Sequence, residues 1–479
     1  MDFETKIGLE IHVELTTKTK IFCGCKNRAN EEPNKNICPT CMGYPGALPR
    51  MNQKVVDNAL KAVLALDCEV HRNTHMDRKH YFYPDLPKGY QITQITRPLG
   101  VNGKLYLEKA RKTIKILRIH MEEDTAKLMH GRGVTKIDYN RSGVPLIEIV
   151  TAPDISNEVE LMEFLDELKN LLTFLEISDL KMEEGSLRCD INISLKDRQG
   201  HRETPVMEVK NLNSFKGALK AVIYEEKRLK EALLHNRKLE KETRGWDEKK
   251  ETTKTLRKKQ ESQEYQYFME AEILPLQISQ RKIQNTQRAL PELPQRKRKR
   301  FKKQYELPEY DVAILTKNPW IADFFEEAVL EYYAPKRISN WIMTQLLSEL
   351  PRGPEGFKNM VLKPRAFGKL MGLIEGGEVP KRIGEKILKE MLKTGEDPKK
   401  VLKNRNLGRI TDQKEIQRIV KEILNHHPKA VEDYRIKPDK ALKFFMGKGM
   451  EKTQGRIDPK ELIKTIKQEL LLKIQGSED

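Results

Sequence analysis

The run IGLEIHVEL, from Ile7 to Leu15, decides how the N-terminal part of the chain is read. Ile7, Leu9, Ile11, Val13 and Leu15 alternate with Glu10, His12 and Glu14. Successive side chains on a strand point to opposite faces, so this spacing predicts one apolar face for a core and one face carrying carboxylates and an imidazole. More strand-like runs follow at LYLEKA, TIKILRIHMEE, KIDYN, VPLIEIVTA, RCDINISL and PVMEVKNL, punctuated by Gly, Pro and Asn. Between them VDNALKAVLAL, NEVELMEFLDELKNLLTFLE and FKGALKAVIYEEKRLKEALL place apolar residues every three or four positions, the period of amphipathic helices. The fold class expected is α+β: an N-terminal cradle domain built on a mainly antiparallel sheet.

The pattern changes at PELPQRKRKRFKK. Within it, PQRKRKRFKK holds seven positive charges in ten residues and no negative one. We read this as a linker or domain edge, beyond which the pattern is almost wholly helical. The expected domains are a catalytic cradle over 1–293, an all-α helical domain over 294–405 and a small α-helical tail over 406–479. The last helix is well specified: Asp458 can cap, Pro459 suits the first position, Glu461 completes a capping box, and Leu462, Ile463, Ile466 and Leu470 form one stripe.

A chain of 479 residues, 38% hydrophobic and 33% charged, is long enough for several buried cores. No apolar run approaches the ~18 residues that span a bilayer, and the charged start MDFETK is unlike a signal sequence; a cytoplasmic protein with no membrane partner is expected. The formal charge of +18 points to a polyanionic partner such as RNA, or to a lysine-rich surface with no such role.

Four of the six cysteines fall in FCGCKNRANEEPNKNICPTC, residues 22–41. Cys23-x-Cys25 and Cys38-x-x-Cys41, separated by twelve residues, supply enough thiolates for a tetrahedral zinc. Four thiolates fill the coordination sphere, so the site expected is structural, its metal acting as the core of a polar loop. Cys68 and Cys189 are expected to be buried thiols.

Other clusters suit a hard cation and phosphate. Glu10 and His12 share a strand face, and His120, Met121, Glu122, Glu123 and Asp124 follow one another at the end of a second strand. KMEEGSLRCDINIS adds Glu183, Glu184, Arg188, Asp190 and Asn192, and MEVKNLNSF adds Lys210, Asn211 and Asn213. Magnesium bound to nucleotide phosphates uses one or two carboxylates, and nearby cations offset charge that develops in phosphoryl transfer. DRKHYFYPDLPKGYQITQ, residues 77–94, interleaves Arg78, Lys79 and Lys88 with Tyr81, Phe82, Tyr83 and Tyr90, a mixture that can stack a base or pack a turn. There is no P-loop or Gly-rich dinucleotide fingerprint, so a nucleotide site must be of another kind.

These stretches, together with CPTCMGYPGALPRMN, DYNRSGVPLIEIVTAPD, ELPEYDVAILT, ISNWIMTQLL and FFMGKGMEKTQGRIDP, closely resemble the B subunits (GatB) of the aspartyl/glutamyl-tRNA amidotransferases, in the same order and from end to end. The resemblance implies ATP-dependent phosphorylation of the carboxylate of aspartate on tRNA(Asn) or glutamate on tRNA(Gln), followed by amidation with ammonia. It implies ATP, Mg2+ and a structural Zn2+ held by Cys23, Cys25, Cys38 and Cys41. By the same resemblance Glu10, His12 and Glu123 surround the magnesium. Lys79, Glu184, Arg188, Asp190, Asn192 and Lys210 line the same cradle, with phosphate contact assigned by charge to Arg188 and Lys210. The chain lacks the amidase signature GGSSGG and any evident Cys-His glutaminase. The implied partners are the amidase-fold A subunit and the small C subunit of a heterotrimer, and misacylated tRNA gripped by the helical region and a YqeY-like tail.

One segment departs from the family's pattern. Where the family reads close to DYRYFPEPD, this chain has EYQYFMEAEI, with Gln266, Met269 and Ala271, and Gln260 stands where a glutamate is usual. An Arg-to-Gln change removes a fixed charge and a bidentate fork, so no site role is assigned there. Two readings stay open beside the main one. One is a zinc-stabilised tRNA-binding protein without catalysis. The other is the related archaeal E subunit of the glutamyl-tRNA(Gln) amidotransferases, whose members carry an extra inserted domain.

Overall fold

The computed structural model describes residues 3–28, 31–197, 202–258, 265–351, 355–405, 408, 410–453 and 455–475. Gln260 lies outside them. Residues 1–293 form one compact unit and residues 294–479 a second.

The opening strand, Phe3–Glu14, sits in the middle of a nine-stranded sheet. On one side it pairs antiparallel with Pro145–Thr151, which pairs in turn with Lys112–Glu123; on the other it pairs with Leu187–Asp197, followed by Met207–Lys210. All of these pairings are antiparallel, whereas Met207–Lys210 joins Glu242–Asp247 in parallel. The alternation read from the sequence is realised in full: Ile7, Leu9, Ile11, Val13 and Leu15 are at most 1% exposed. They pack in one core with Val56, Leu60 and Val63 of helix Gln53–Ala65, Phe164 and Leu168 of Glu158–Leu175, and Ala218 and Val222 of Phe215–Leu234. The helices cover one face of the sheet, and Glu10 and His12 stand on the other.

KIDYN is only partly strand: Thr135–Asp138 pairs with Lys127–His130 as a separate hairpin, and Tyr139–Arg141 turns into a short 3-10 helix capped by the Asp138 side chain. The basic and aromatic stretch at 77–94 is not a simple packed turn. Asp77–His80 and Tyr90–Thr93 pair with each other, and Gln266–Met269 adds a third strand.

In the second unit the basic run is a helix, Pro294–Gln304. Phe301 is fully buried, edge-to-face with Tyr305 and tilted against Phe325. Lys297 donates to Asp323 at 2.8 Å and to Glu326 at 3.1 Å, and Arg300 reaches Glu326 at 2.6 Å. Of the two readings, linker or domain edge, the second holds: the run opens the second unit as a packed helix, its charge partly neutralised by an acidic helix face, Pro319–Glu331, beside it. Two separate apolar cores follow. One gathers Phe301, Phe325, Ile338, Phe367 and Ile387, and the other gathers Ile416, Val420, Phe445, Leu462, Ile466 and Leu470. In the last helix, Pro459–Gln475, the backbone N–H of Lys460 donates to Asp458 at 2.7 Å. Among the described residues no helix is long and apolar enough to cross a membrane.

Candidate active site and metal centre

Register across the sheet builds the site. His12 lies opposite Glu148 on one neighbour and opposite Arg188 on the other, and Glu148 lies opposite His120. Facing pairs on adjacent strands share a face, so His120, Glu148, His12 and Arg188 form a line across four strands. His12 Nε2 is 3.2 Å from Glu122 Oε1 and 3.4 Å from Glu148 Oε2, and His120 Nε2 is 3.3 Å from Glu148 Oε2. Burial by itself depresses a histidine, but hydrogen bonds and charge from Glu122 and Glu148 win, raising His12 to about 10. His120 is raised to about 9 against the same burial, chiefly by the Glu148 charge. Burial works to raise the two carboxyls, yet the imidazoles hold Glu122 down to about 2 and Glu148 well below the ordinary range.

Donor atoms of His12, Glu122 and Glu148 lie within 4.8 Å of one another, a spacing that a divalent cation can bridge. The expected trio was Glu10, His12 and Glu123, and the structure gathers a different one. Glu122 and Glu123 are neighbours on a strand, so their side chains leave opposite faces. Glu123 accepts from Lys88 Nζ at 2.6 Å and from the Ile92 backbone at 2.8 Å. It faces a separate cavity of about 180 Å³ bounded by Cys41, Tyr44 and Tyr90. Glu10 stands on the same face as His12 but one row away, where it accepts from Asn192 at 2.9 Å. Glu148 was missed because it is a single carboxylate inside the apolar run VPLIEIV; only its register with His12 reveals it.

Arg188 Nη2 lies 2.9 Å from Asp124 Oδ2 as an ion contact without hydrogen-bond alignment, and its Nε is buried without a partner. Arg141 also donates to Asp124, and although burial opposes ionisation the two guanidiniums hold that carboxyl below its ordinary value. Lys210 is clasped by Asp190 at 2.7 Å and Glu208 at 3.1 Å, and these carboxylates push its ammonium up despite burial. The Lys79 ammonium lies 4.6 Å from the Tyr265 ring centre and 5.7 Å from that of Tyr81. Glu184 is exposed and pairs with Lys181 at 2.9 Å. Gln266 faces His80 across the hairpin, while Tyr267 faces Lys79. The Arg-to-Gln departure thus lies on the opposite side of that strand from Lys79 and the tyrosines. Glu270, unassigned in the sequence, is fully buried and grips Arg78 with two hydrogen bonds of 2.8 Å.

The cysteines form a second centre. Cys23, Cys25, Cys38 and Cys41 place their sulfurs within 4.8 Å of one another, compatible with the ~3.8 Å edges of a tetrahedral zinc–thiolate site. The Cys38 backbone N–H donates to Cys41 Sγ at 3.1 Å, and the fully buried Lys20 ammonium lies 3.9 Å from the same sulfur. The Cys23 hydrogen bond, with help from the Cys38 amide and Lys20, lowers Cys41 to about 5 against its burial. A buried lysine beside four sulfurs suits an anionic metal–thiolate cluster. The loop is tied to the segments that flank the histidine–carboxylate cluster: the Ile21 N–H donates to the Gly143 carbonyl at 2.9 Å, and the Gly143 N–H donates to the Asp124 carbonyl at 3.1 Å. Gly143 makes this turn with φ +84°, a conformation open to glycine.

A sheet face with a histidine–carboxylate cluster flanked by guanidinium groups suits a domain that takes up a cation and an anion, here followed by helical cores. Residues 5–284 match the GatB/GatE catalytic domain, and residues 323–470 match the GatB domain. The chain is 43% identical to the B subunit of the aspartyl/glutamyl-tRNA(Asn/Gln) amidotransferase of Finegoldia magna, over 98% of this chain and 100% of that protein. It is 42% identical to the B subunit of Persephonella marina, again over 98% and 100%. With that of Thermotoga neapolitana it shares 44% identity over 98% of this chain and 99% of the relative. The chain belongs to the family of aspartyl/glutamyl-tRNA amidotransferase B subunits.

Proposed function

We propose that this chain activates and amidates the carboxylate of aspartate on tRNA(Asn), glutamate on tRNA(Gln), or both. The observation that carries the reading is the joining of His12, Glu122 and Glu148 with the half-buried Arg188, whose Nε has no partner among the described residues, on one sheet face. A carboxylate oxygen attacks the γ-phosphorus of ATP, forming the acyl C–O–P linkage as the bond to the β-phosphate bridging oxygen breaks and ADP leaves. Ammonia then attacks the acyl carbon, phosphate departs, and a proton is lost from nitrogen to leave the amide. Arg188 is placed to meet phosphoryl oxygens; Lys210, held by Asp190 and Glu208, reaches them only by loosening those contacts. His12, Glu122 and Glu148 would hold Mg2+, with Glu10 and Asn192 beside them. When bound, the ion supplies charge neutralisation on the phosphates and a fixed point for in-line transfer.

The four cysteines would hold Zn2+ as a brace rather than a reagent. Residues 1–293 serve as the catalytic cradle, 294–405 as a helical connector, and 406–479 as a tail that contacts tRNA. The chain works in the cytoplasm with the amidase-fold A subunit, which releases ammonia from glutamine, and the small C subunit. A non-catalytic RNA-binding protein has no use for the His–carboxylate line. The test is to reconstitute the complex, supply ammonium chloride in place of glutamine, and follow tRNA-dependent ATP hydrolysis and amide formation. Product with either misacylated tRNA supports the reading, and its absence with both overturns it.

A further inference from the structure

Around the His12–Glu122–Glu148 cluster, His120, Arg188 and Lys210 are each matched to a carboxylate. Arg118 is not. It lies on the Lys112–Glu123 strand opposite Val150, one row from His120 and on the same face. Its Nε is closed off from solvent and meets no hydrogen-bond partner among the described residues. Tyr267 lies within electrostatic reach of Arg118, Glu148 and Glu122 together, so the guanidinium and the phenol stand beside the cluster. Arg118 and Arg188 occupy the two outer strands of the four that carry the line. They are three strand spacings, about 14 Å, and one further row apart, with the cluster between them.

A guanidinium nitrogen withdrawn from water and left without an acceptor costs free energy, which an incoming anion offsets. In-line phosphoryl transfer sets the attacking and leaving oxygens on opposite sides of the phosphorus. If Arg188 meets the phosphates, the anion on the far side is the acceptor. The planar guanidinium fork matches a carboxylate, while an amide in the same place brings no charge and turns an N–H donor toward other donors. We propose that Arg118, flanked by Tyr267, holds the side-chain carboxylate of the tRNA-borne amino acid and separates this substrate from the amide product. This inference rests on the proposed function above.

The experiment uses the full complex carrying the natural chain, Arg118→Gln or Arg118→Lys, and compares binding of one tRNA in its misacylated and amidated forms. The natural chain is expected to prefer the acid form. R118Q is expected to bring the ratio of affinities close to unity and to raise KM for misacylated tRNA on the order of tenfold to a hundredfold, with KM for ATP unchanged. R118K, which keeps the charge but loses the fork, is expected to restore part of the ratio. A ratio unchanged in R118Q overturns the assignment. So does an equal loss for both forms, which marks a contact to tRNA phosphate. A natural complex that makes no amide at all has a different signature and overturns the underlying reading together with this contact.

Discussion

The cysteine loop and the His–carboxylate face each gather groups that could hold a cation, and they differ in how those groups come together. The loop draws all four sulfurs from residues 23–41, whereas His12, Glu122 and Glu148 come from three strands far apart in the chain. A local set closes its own sphere and stiffens a segment that has little apolar content. A set assembled by sheet pairing lies on the sheet face away from the helices, beside Arg188 and Tyr267. The local centre is suited to stability and the assembled one to chemistry.

The sharpest way to break that contrast is Glu148→Gln. It should lower amide formation on the order of a hundredfold to a thousandfold while zinc content stays that of the natural chain. Parallel product assays and metal analysis check it, and a loss of zinc would erase the distinction. Cys38→Ser is the converse. Zinc should be lost and the melting temperature should fall on the order of 10 °C, with residual activity tracking the folded fraction. A variant that keeps its metal-free stability but loses amidation outright would move the loop into the catalytic machinery.

Removing the residues after about 405 touches neither centre. It should weaken tRNA binding about tenfold or more and flatten its salt dependence, because phosphate contacts release counterions. Glutamine hydrolysis by the partner amidase should be unaffected. Binding titrations at two salt concentrations decide the matter, and unchanged affinity would remove the tail from the tRNA interface.

The smallest effect concerns Asp124, which lies between Arg141 and Arg188. Its folded-state value is depressed below the ordinary 3.8, so its stabilising contribution is complete above that pH and is lost as pH falls through the folded value. Asp124→Asn should therefore be less stable than the natural chain near neutral pH, with the gap narrowing in acid. Urea midpoints across the acid range measure it, and a gap that persists at the lowest pH would mean that the charge is not what matters.

Much of this was legible in the chain itself. The alternation of Ile7 to Leu15 dictates a strand with a polar face, because a period of two leaves no other way to bury five apolar side chains. The spacing of Cys23, Cys25, Cys38 and Cys41 names their centre, because all the ligands lie within one loop's reach. Runs such as FKGALKAVIYEEKRLKEALL declare their helices. The +18 charge was less transparent: PQRKRKRFKK reads as a linker or domain edge and does open the second unit, yet Lys297 and Arg300 are matched by Asp323 and Glu326 from another helix.

What only the tertiary structure decided is which carboxylate serves which face. Glu122 and Glu123 are adjacent in the chain and equivalent in composition, but the pleat sends one to His12 and the other to Lys88. Glu148 and Arg118 look unremarkable in their own segments and gain meaning from the strands beside them. A chain determines the period of its own side chains; strand register, a relation between distant segments, determines which of those side chains meet.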